Sequence, residues 1–502
     1  MSDDTAFQVA VIGTGFSGLC TAIQLKRAGI EDFVVLEKAA DIGGTWRENR
    51  YPGCACDVHS VLYSFSFAPN PSWSRKFAPR QEIWDYLRGC ADAYRIAPHI
   101  RFSSEVVAAD FDETAGCWRI TTSRGETIRA TAVVAGMGPL HEPAYPDIPG
   151  LDGFAGEALH SAQWDHGCDL SGKRVAVIGT GASAVQFIPE IAPAVRKLYV
   201  FQRTPPWVVP KPDRAFTRFE KRLFHRVPAV QRAYRAAVYW LLEGRVPAFS
   251  HPAMMRAAER LVRRSIRRQI PDRRLREAAT PDYTLGCKRV LLSNDYYRAL
   301  TRTNVELVTA DISAADPGGL VTRDGVHREV DTIIYGTGFR VGDRIARMPI
   351  RGRGGLDIRD AWHEGMAAYL GTTVAGFPNL FLVLGPNTGL GHTSMVFMIE
   401  AQVDYIMRCL RALTRQRVRY IDVRPAAQSD FNRRLQRRLD GTVWSSGCRS
   451  WYLDADGVNR TLWPGPSWRF WLRTRRLNLT HYDTRDPARD RAPLTAGSRS
   501  TG

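Results

Sequence analysis

Two stretches of this chain repeat one pattern, and that repetition constrains the fold more than anything else in it. In the first, the apolar run Gln8-Val9-Ala10-Val11-Ile12 leads into Gly13-Thr14-Gly15-Phe16-Ser17-Gly18 and then into a helix over Leu19–Arg27, closed by Gly29. In the second, Arg174-Val175-Ala176-Val177-Ile178 leads into Gly179-Thr180-Gly181-Ala182-Ser183-Ala184. Each reads as strand, glycine turn, helix. The first glycine allows the tight turn, and the second lets a pyrophosphate approach the backbone at the positive end of the helix. The third, here Gly18 or its tolerated substitute Ala184, lets helix and strand pack closely. Two such units call for two parallel sheets, each with a dinucleotide site.

The residue ending the second strand of each unit separates the two sites. Phe33-Val34-Val35-Leu36 ends at Glu37, 24 residues beyond Gly13, where a carboxylate accepts hydrogen bonds from ribose hydroxyls and repels a 2′-phosphate. That site suits FAD or NAD. Leu198-Tyr199-Val200-Phe201 is followed by Gln202, Arg203 and Thr204, with Arg203 also 24 residues beyond Gly179. A guanidinium and a hydroxyl there favour a 2′-phosphate through charge-assisted hydrogen bonds, so NADPH is the expected ligand. One site for FAD and one for NADPH define an α/β flavoprotein. Its Rossmann-like FAD domain is interrupted by an inserted Rossmann-like NADP domain.

With 502 residues, the chain is too long for one ordinary core. The division expected is 1–145 for the first part of the FAD domain, 146–338 for the NADP domain, 339–482 for the second part of the FAD domain, and 483–502 as a disordered tail. Within the NADP domain, residues 214–280 read as a helical insertion. Val230, Tyr234, Val238, Leu241 and Leu242 share one helical stripe, and Met254, Ala258, Leu261, Val262 and Ile266 another. Arginines fill the other faces, which reads as a solvated basic surface, with membrane-surface association as the lesser alternative. The run Phe102 to Ala135 alternates like a β-meander, and a helix is expected from Ser394 to about Leu413.

The net charge of +18 raises nucleic acid as a partner, but the arginines are spread along the chain and no nucleic-acid motif accompanies them. No long apolar run suggests a membrane span, and Met1-Ser2-Asp3-Asp4 leads directly into a strand, which points to the cytoplasm. The nine cysteines are scattered without a C-x-x-C pair, so neither a zinc site nor a structural disulfide is expected. Cys54 and Cys56 are too close in sequence for an easy disulfide.

Several further segments carry a resemblance. Phe154-Ala155-Gly156-Glu157-Ala158-Leu159-His160-Ser161-Ala162-Gln163-Trp164-Asp165 matches F-x-G-x-x-x-H-x-x-x-W-D, and Gly44-Thr45-Trp46, Tyr51-Pro52-Gly53 and Asp57 match G-x-W-x-x-x-x-Y-P-G-x-x-x-D. Both patterns resemble those of the Baeyer–Villiger monooxygenases, class B flavoproteins of the flavin-containing monooxygenase superfamily. The resemblance extends from about Val9 to Tyr482. It implies that Gly44, Thr45 and Trp46 lie against the flavin, with Asp57 near its reactive face and Tyr63 lining the same cavity. It also implies that Lys288 meets the NADP phosphate and Arg289 the flavin peroxide, that Asp57 holds Arg289, and that Trp451 approaches the nicotinamide ribose. His160 is read as a hydrogen-bonding strut rather than a general base.

The chemistry so implied is reduction of FAD by NADPH, addition of dioxygen to give a C4a-peroxyflavin, and attack of that peroxide on a ketone to give an ester or lactone. The two cofactor domains are expected to rotate between hydride delivery and oxygenation. The alternative is a flavin-containing monooxygenase that oxidises nitrogen or sulfur. Those enzymes resemble this chain in both glycine motifs but usually lack the Trp164-Asp165 ending and a counterpart of Arg289. A catalytically dead flavoprotein acting as a basic interaction module is the reading from another class. Intact glycines together with Glu37, Arg203 and Arg289 oppose it.

Overall fold

The structure, a computed structural model, describes residues 5–138, 140, 142–340, 348–416, 418–448 and 450–485. Two parallel cores organise it, each started by one of the glycine units. In the first, strand Thr5–Ile12 pairs in parallel with Phe33–Leu36 on one side and Thr127–Ala135 on the other. The sheet continues outward through Cys117–Thr122 and Val106–Asp112 to Ile350–Arg351 at one edge, and through Ile100–Arg101 at the other. Strand Leu380–Leu382 also joins Thr127–Ala135, so the late part of the chain completes a sheet begun by the early part. Between Val106 and Ala135 the strands are antiparallel neighbours, as a meander requires.

The second core is a five-stranded parallel sheet in the order Val305–Val308, Lys197–Phe201, Arg174–Ile178, Thr332–Tyr335, Glu157–His160. The segment Phe154 to Asp165, which reads in sequence as a connector, therefore supplies an edge strand to this sheet. Its fixed residues each have a packing reason. A Cβ on Gly156 would sit 2.5 Å from both the Asp331 carbonyl oxygen and the Phe154 ring. Buried His160 accepts a hydrogen bond from the Ala162 backbone N–H at 3.1 Å, which makes it the strut expected. Trp164 packs on Phe187, with ring centroids 5.4 Å apart.

Five helices, Arg218–Arg226, Pro228–Glu243, Val246–Ser250, Pro252–Gln269 and Arg273–Ala278, form the insertion. It reaches across to the first core. Arg235 donates to the Ser64 carbonyl at 3.1 Å, Gln231 donates to the Asn70 carbonyl at 2.7 Å, and Tyr239 stacks near Phe397 at 5.1 Å. Phe397 belongs to the long helix Met395–Gln416, which packs on the first glycine-unit helix, Phe16–Arg27. The aromatic segment near the end of the chain folds inward, burying Trp463 and Phe470.

Two sequence expectations need correction. Residues 483–485 are not part of a disordered tail: strand Tyr482–Arg485 pairs antiparallel with Tyr420–Val423, and the remaining tail, 486–502, lies outside the described residues. A disulfide joins Cys287 to Cys448, 161 residues apart in sequence. Spacing could not reveal it, because the pair is created by two loops that meet only in the folded chain. Cys54 and Cys56 remain thiols.

Candidate active site

The two glycine turns are built alike at atomic detail. Gly13 has φ +95°, and a Cβ there would lie 2.9 Å from the Gly136 carbonyl oxygen. Gly179 has φ +107°, and its Cβ would lie 2.6 Å from the Gly336 carbonyl oxygen. In each unit the glycine at the end of a neighbouring returning strand closes the turn. A Cβ on Gly18 would stand 1.7 Å from the Gly13 carbonyl oxygen, so no other residue fits. Ala184 is accepted in the second unit, where its Cβ lies 3.2 Å from the Cβ position of Gly336. Gly15 and Gly181 face open space on the turn, meeting only Gly44 Cα and the Gly336 carbonyl oxygen at 3.8 Å. Both turns are thus cradles whose backbone a pyrophosphate can approach, and they fit the two dinucleotides.

Glu37 stands at the end of its strand, buried, where one carboxylate oxygen accepts from the Thr14 N–H at 2.9 Å and the Thr14 hydroxyl at 2.6 Å. The other accepts from the Ala39 N–H at 2.9 Å and from Arg47 at 3.3 Å. These contacts use the carboxylate's usual four acceptor positions, so ribose hydroxyls would share or replace the Thr14 and Arg47 contacts. The turn at Gly43 and Gly44 lies directly against Gly15, with a Gly44 Cβ 3.1 Å from Gly15 Cα. It leads into the short helix Thr45–Glu48, whose Trp46 Nε1 donates to the Tyr63 hydroxyl at 3.2 Å. Burial pushes the Tyr63 phenol well above its ordinary pKa, which keeps it a neutral donor.

At the second turn, the Thr180 hydroxyl donates to the Thr204 carbonyl at 3.2 Å, tying the glycine turn to the segment that carries Arg203. Ala182 and Ser183 open the helix Ala182–Ile191 just beyond it. Arg203 is exposed. Lys288, from a distant part of the chain, comes close enough that, after burial, the Arg203 charge is the next cause holding the Lys288 ammonium pKa below its ordinary value. Two cations that feel each other's charge make this side of the second turn favourable to an anion.

Adjacent Arg289 points the other way, toward the first core. Its Nε and Nη2 donate to one oxygen of Asp57 at 2.9 and 2.5 Å. Asp57 foremost, with Tyr452 and Cys56 adding and burial opposing, raises the guanidinium pKa still further above its ordinary range. The side chains of Arg289 and Asp57 keep 31% and 28% of their surface accessible, so the pair borders open space rather than solid core. Tyr452 is buried beside Arg289, within hydrogen-bonding range of it, while its neighbour Trp451 is about half exposed.

The two glycine turns with their neighbouring residues form one cluster each, and Lys288-Arg289 lies between Arg203 and Asp57. Two residues escaped sequence reading. Tyr452 had only its place beside Trp451 to mark it. Lys211, whose ammonium pKa burial pushes down and which lies near Cys56 and Asp57, had no signal beyond a Pro-Lys-Pro segment. Among the described residues no three His, Cys, Asp or Glu side chains could hold a metal ion, and no helix is long and apolar enough to cross a membrane.

Two Rossmann-like cores with an arginine poised between them define a flavin- and nicotinamide-dependent oxidoreductase. Residues 6–239 match the FMO-like family, flavin-binding monooxygenase-like. The chain is 51% identical to a Baeyer–Villiger monooxygenase of Pseudomonas aeruginosa, covering 95% of this chain and 91% of that one. It is 48% identical to a Baeyer–Villiger monooxygenase of Streptomyces coelicolor, covering 99% and 96%. Among solved structures, cyclohexanone monooxygenase from Rhodococcus sp. Phi1 bound to NADP+ superimposes with a TM-score of 0.87 at 30% identity, covering 96% of this chain and all of the other. Steroid monooxygenase bound to NADP gives the same TM-score at 29% identity, with 96% and 100% covered. The chain belongs to the Baeyer–Villiger monooxygenase family. It is an FAD- and NADPH-dependent enzyme that uses dioxygen to insert an oxygen atom beside a ketone carbonyl.

Proposed function

We propose that Arg289, fixed by Asp57 and Tyr452, is the catalytic cation of this oxygen insertion, and that Arg203 and Lys288 select NADPH by holding its 2′-phosphate. The observation carrying this reading is the Arg289 pairing with Asp57 at 2.9 Å, beside a Lys288 whose ammonium lies over the Tyr283 ring and within reach of the Arg203 charge. One short segment thereby serves both cofactor sites. FAD, held by the Gly13–Gly18 turn, Glu37 and the Gly44–Trp46 turn, supplies the passage of electrons from NADPH to dioxygen. NADPH is held by the Gly179–Ala184 turn, Arg203, Thr204, Lys288 and Trp451. Arg289 stays cationic at every working pH and stabilises negative charge developing on oxygen as the carbonyl is attacked. Asp57 keeps the guanidinium aimed.

We infer that the ketone binds near Leu390 to Val396 and Trp444, where the Phe249 ring stacks on Trp444 at 5.5 Å and His392 pairs with buried Glu243 at 3.1 Å. Exposed Trp240, Leu241, Met254 and Leu261 stand among arginines on the insertion helices, which supports transient contact with a membrane surface. The need for NADPH supports a cytoplasmic setting.

The test is mass analysis of the products formed from a panel of cyclic and aromatic ketones with NADPH and air. The expected product gains one oxygen atom beside the carbonyl. In the Arg289→Ala variant, loss of about 2–4 kcal/mol of transition-state stabilisation should slow ester formation roughly thirtyfold to a thousandfold. Normal ester formation by that variant would refute the assignment.

A further inference from the structure

The Cys287–Cys448 bridge lies beside both functional clusters. Cys287 immediately precedes Lys288 and Arg289, and Cys448 stands four residues before Tyr452, which meets Arg289. Cys287 is bonded to Cys448, and Arg289, two residues further on, lies beside Tyr452. The two segments, 287–289 and 448–452, come from distant parts of the chain and meet over Phe249 of the insertion. Beyond Arg289, Leu291 and Leu292 pair with Val208 and Val209, which follow the second sheet's Arg203 segment. Cys448 follows the helix Pro425–Leu439 and the turn Val443–Ser445, whose Trp444 packs against Phe249. Gly286 is packed tightly at the same junction: a Cβ there would meet Met255 and Phe249 at 3.1 Å.

We propose that Cys287 and Cys448 are a reversible redox clamp that ties the Arg289 segment to the C-terminal loop and slows turnover while it is oxidised. The proposal rests on the roles given above to Lys288, Arg289 and Trp451. Binding NADPH, passing its hydride and releasing NADP+ require the segments around Lys288 and Trp451 to part, and a covalent bond between them opposes that movement. The oxidant is hydrogen peroxide, which forms when NADPH, a proton and dioxygen react to NADP+ and peroxide with no ketone oxygenated. The reacting form of Cys287 is its thiolate, as for any thiol oxidised by peroxide. That thiolate attacks one peroxide oxygen, forming a sulfenic acid and releasing hydroxide, which takes up the thiol proton to leave as water. The Cys448 sulfur then displaces the second hydroxide, its own proton completing the second water, so two thiols lose two electrons and peroxide gains them. A cellular dithiol or two monothiols reverse the reaction by attack at Cys448. Although that sulfur is itself mostly covered, the neighbouring Ser445, Ser446 and Gly447 are exposed. Turnover without ketone would thereby restrain itself.

The experiment uses the full-length FAD-bound enzyme. One portion is treated with hydrogen peroxide and one with dithiothreitol. Each is alkylated, digested without reduction and searched by mass for the linked Cys287 and Cys448 peptides, while kcat and KM are measured with a ketone. The expected result is the linked peptide only after peroxide, with kcat lowered about tenfold, KM for the ketone unchanged, and both effects reversed by dithiothreitol. Cys448→Ser and Cys287→Ser, checked for bound flavin by absorbance, should show no linked peptide and keep the reduced enzyme's kcat through the same peroxide treatment. The proposal is overturned if no linked peptide forms, if the link forms without change in kcat, if it resists dithiothreitol, or if the serine variants lose the same activity. Peptide mass reads the bridge independently of Arg289. A linked peptide with normal ester formation by Arg289→Ala would therefore count against the catalytic assignment and not against the clamp.

Discussion

Lys288 and Arg289 are neighbours in sequence that answer to different partners, and the difference can be measured. If Arg203 and Lys288 share the 2′-phosphate as proposed, each contributes a charge-assisted hydrogen bond worth about 1.5–3 kcal/mol. Lys288→Ala should therefore raise KM for NADPH by roughly ten- to a hundredfold while leaving that for NADH nearly unchanged, so the preference between the two coenzymes narrows. Steady-state kinetics with both coenzymes would check this, and an equal loss for both would remove the phosphate role. Arg203 and Lys288 also show what the residues could disclose. Arg203 was legible because the strand and glycine turn set its distance from Gly179. Lys288 was marked only by the family resemblance, since a Lys-Arg pair in an arginine-rich chain carries no geometry. Tyr452 and Lys211 were missed because their significance comes from approaching Asp57 and Arg289 across the fold, and no period in the sequence encodes that approach.

At the level of elements, the strand Glu157–His160 shows why a linear pattern can be found and still be misread. Its fixed residues were evident, but whether they belonged to a connector or a strand depended on a partner far along the chain, Thr332–Tyr335. Parallel pairing of distant segments leaves no local turn signal. The glycine units were legible because strand, turn and helix are contiguous there. His160 gives this edge strand a pH signature. Burial lowers its pKa from 6.5 to about 4, with the nearby Gly338 backbone opposing the shift. Between those values the unfolded chain binds more protons than the folded one, so stability falls as pH drops through that window and is unaffected by this group above it. The full shift corresponds to about 3 kcal/mol. Thermal unfolding from pH 7 to pH 4.5 should show a falling midpoint in the native enzyme. A shallower fall is expected in His160→Asn, which keeps an acceptor for the Ala162 N–H. Half-buried His59, shifted in the same direction, supplies part of the remaining slope. Identical slopes would show that His160 does not titrate in this range.

Across the whole molecule, the two cores are coupled through one side chain more directly than the sequence suggests. Gln186, on the helix Ala182–Ile191 of the second core, accepts from the Tyr51 hydroxyl at 3.0 Å and the Ala55 N–H at 3.3 Å, and donates to the Ala55 carbonyl at 2.9 Å. Gly53 permits the approach: its φ is +73°, and a Cβ there would lie 3.0 Å from the Gln186 carbonyl oxygen. The Tyr51-Pro52-Gly53 pattern thus docks one core on the other as well as shaping a loop. Two residues beyond Ala55 stands Asp57, which aims Arg289. A path of contacts therefore runs from the helix Ala182–Ile191 through Gln186, the Tyr51–Ala55 loop and Asp57 to Arg289, the proposed catalytic cation. Gln186→Leu removes all three bonds and leaves partly buried groups unpaired, a loss of about 1–3 kcal/mol. Lower thermal stability alone would be unremarkable for such a change. The informative readout is coupling, the fraction of consumed NADPH that appears as ester rather than as hydrogen peroxide. If the loop positions Asp57, that fraction should fall severalfold in Gln186→Leu, since a misaimed Arg289 stabilises the transition state less while NADPH oxidation continues. Gln186→Glu, which retains the acceptor for Tyr51 and Ala55 N–H, should recover much of it. A variant less stable than the native enzyme yet equally coupled would confine Gln186 to holding the cores together, with no part in aiming Arg289.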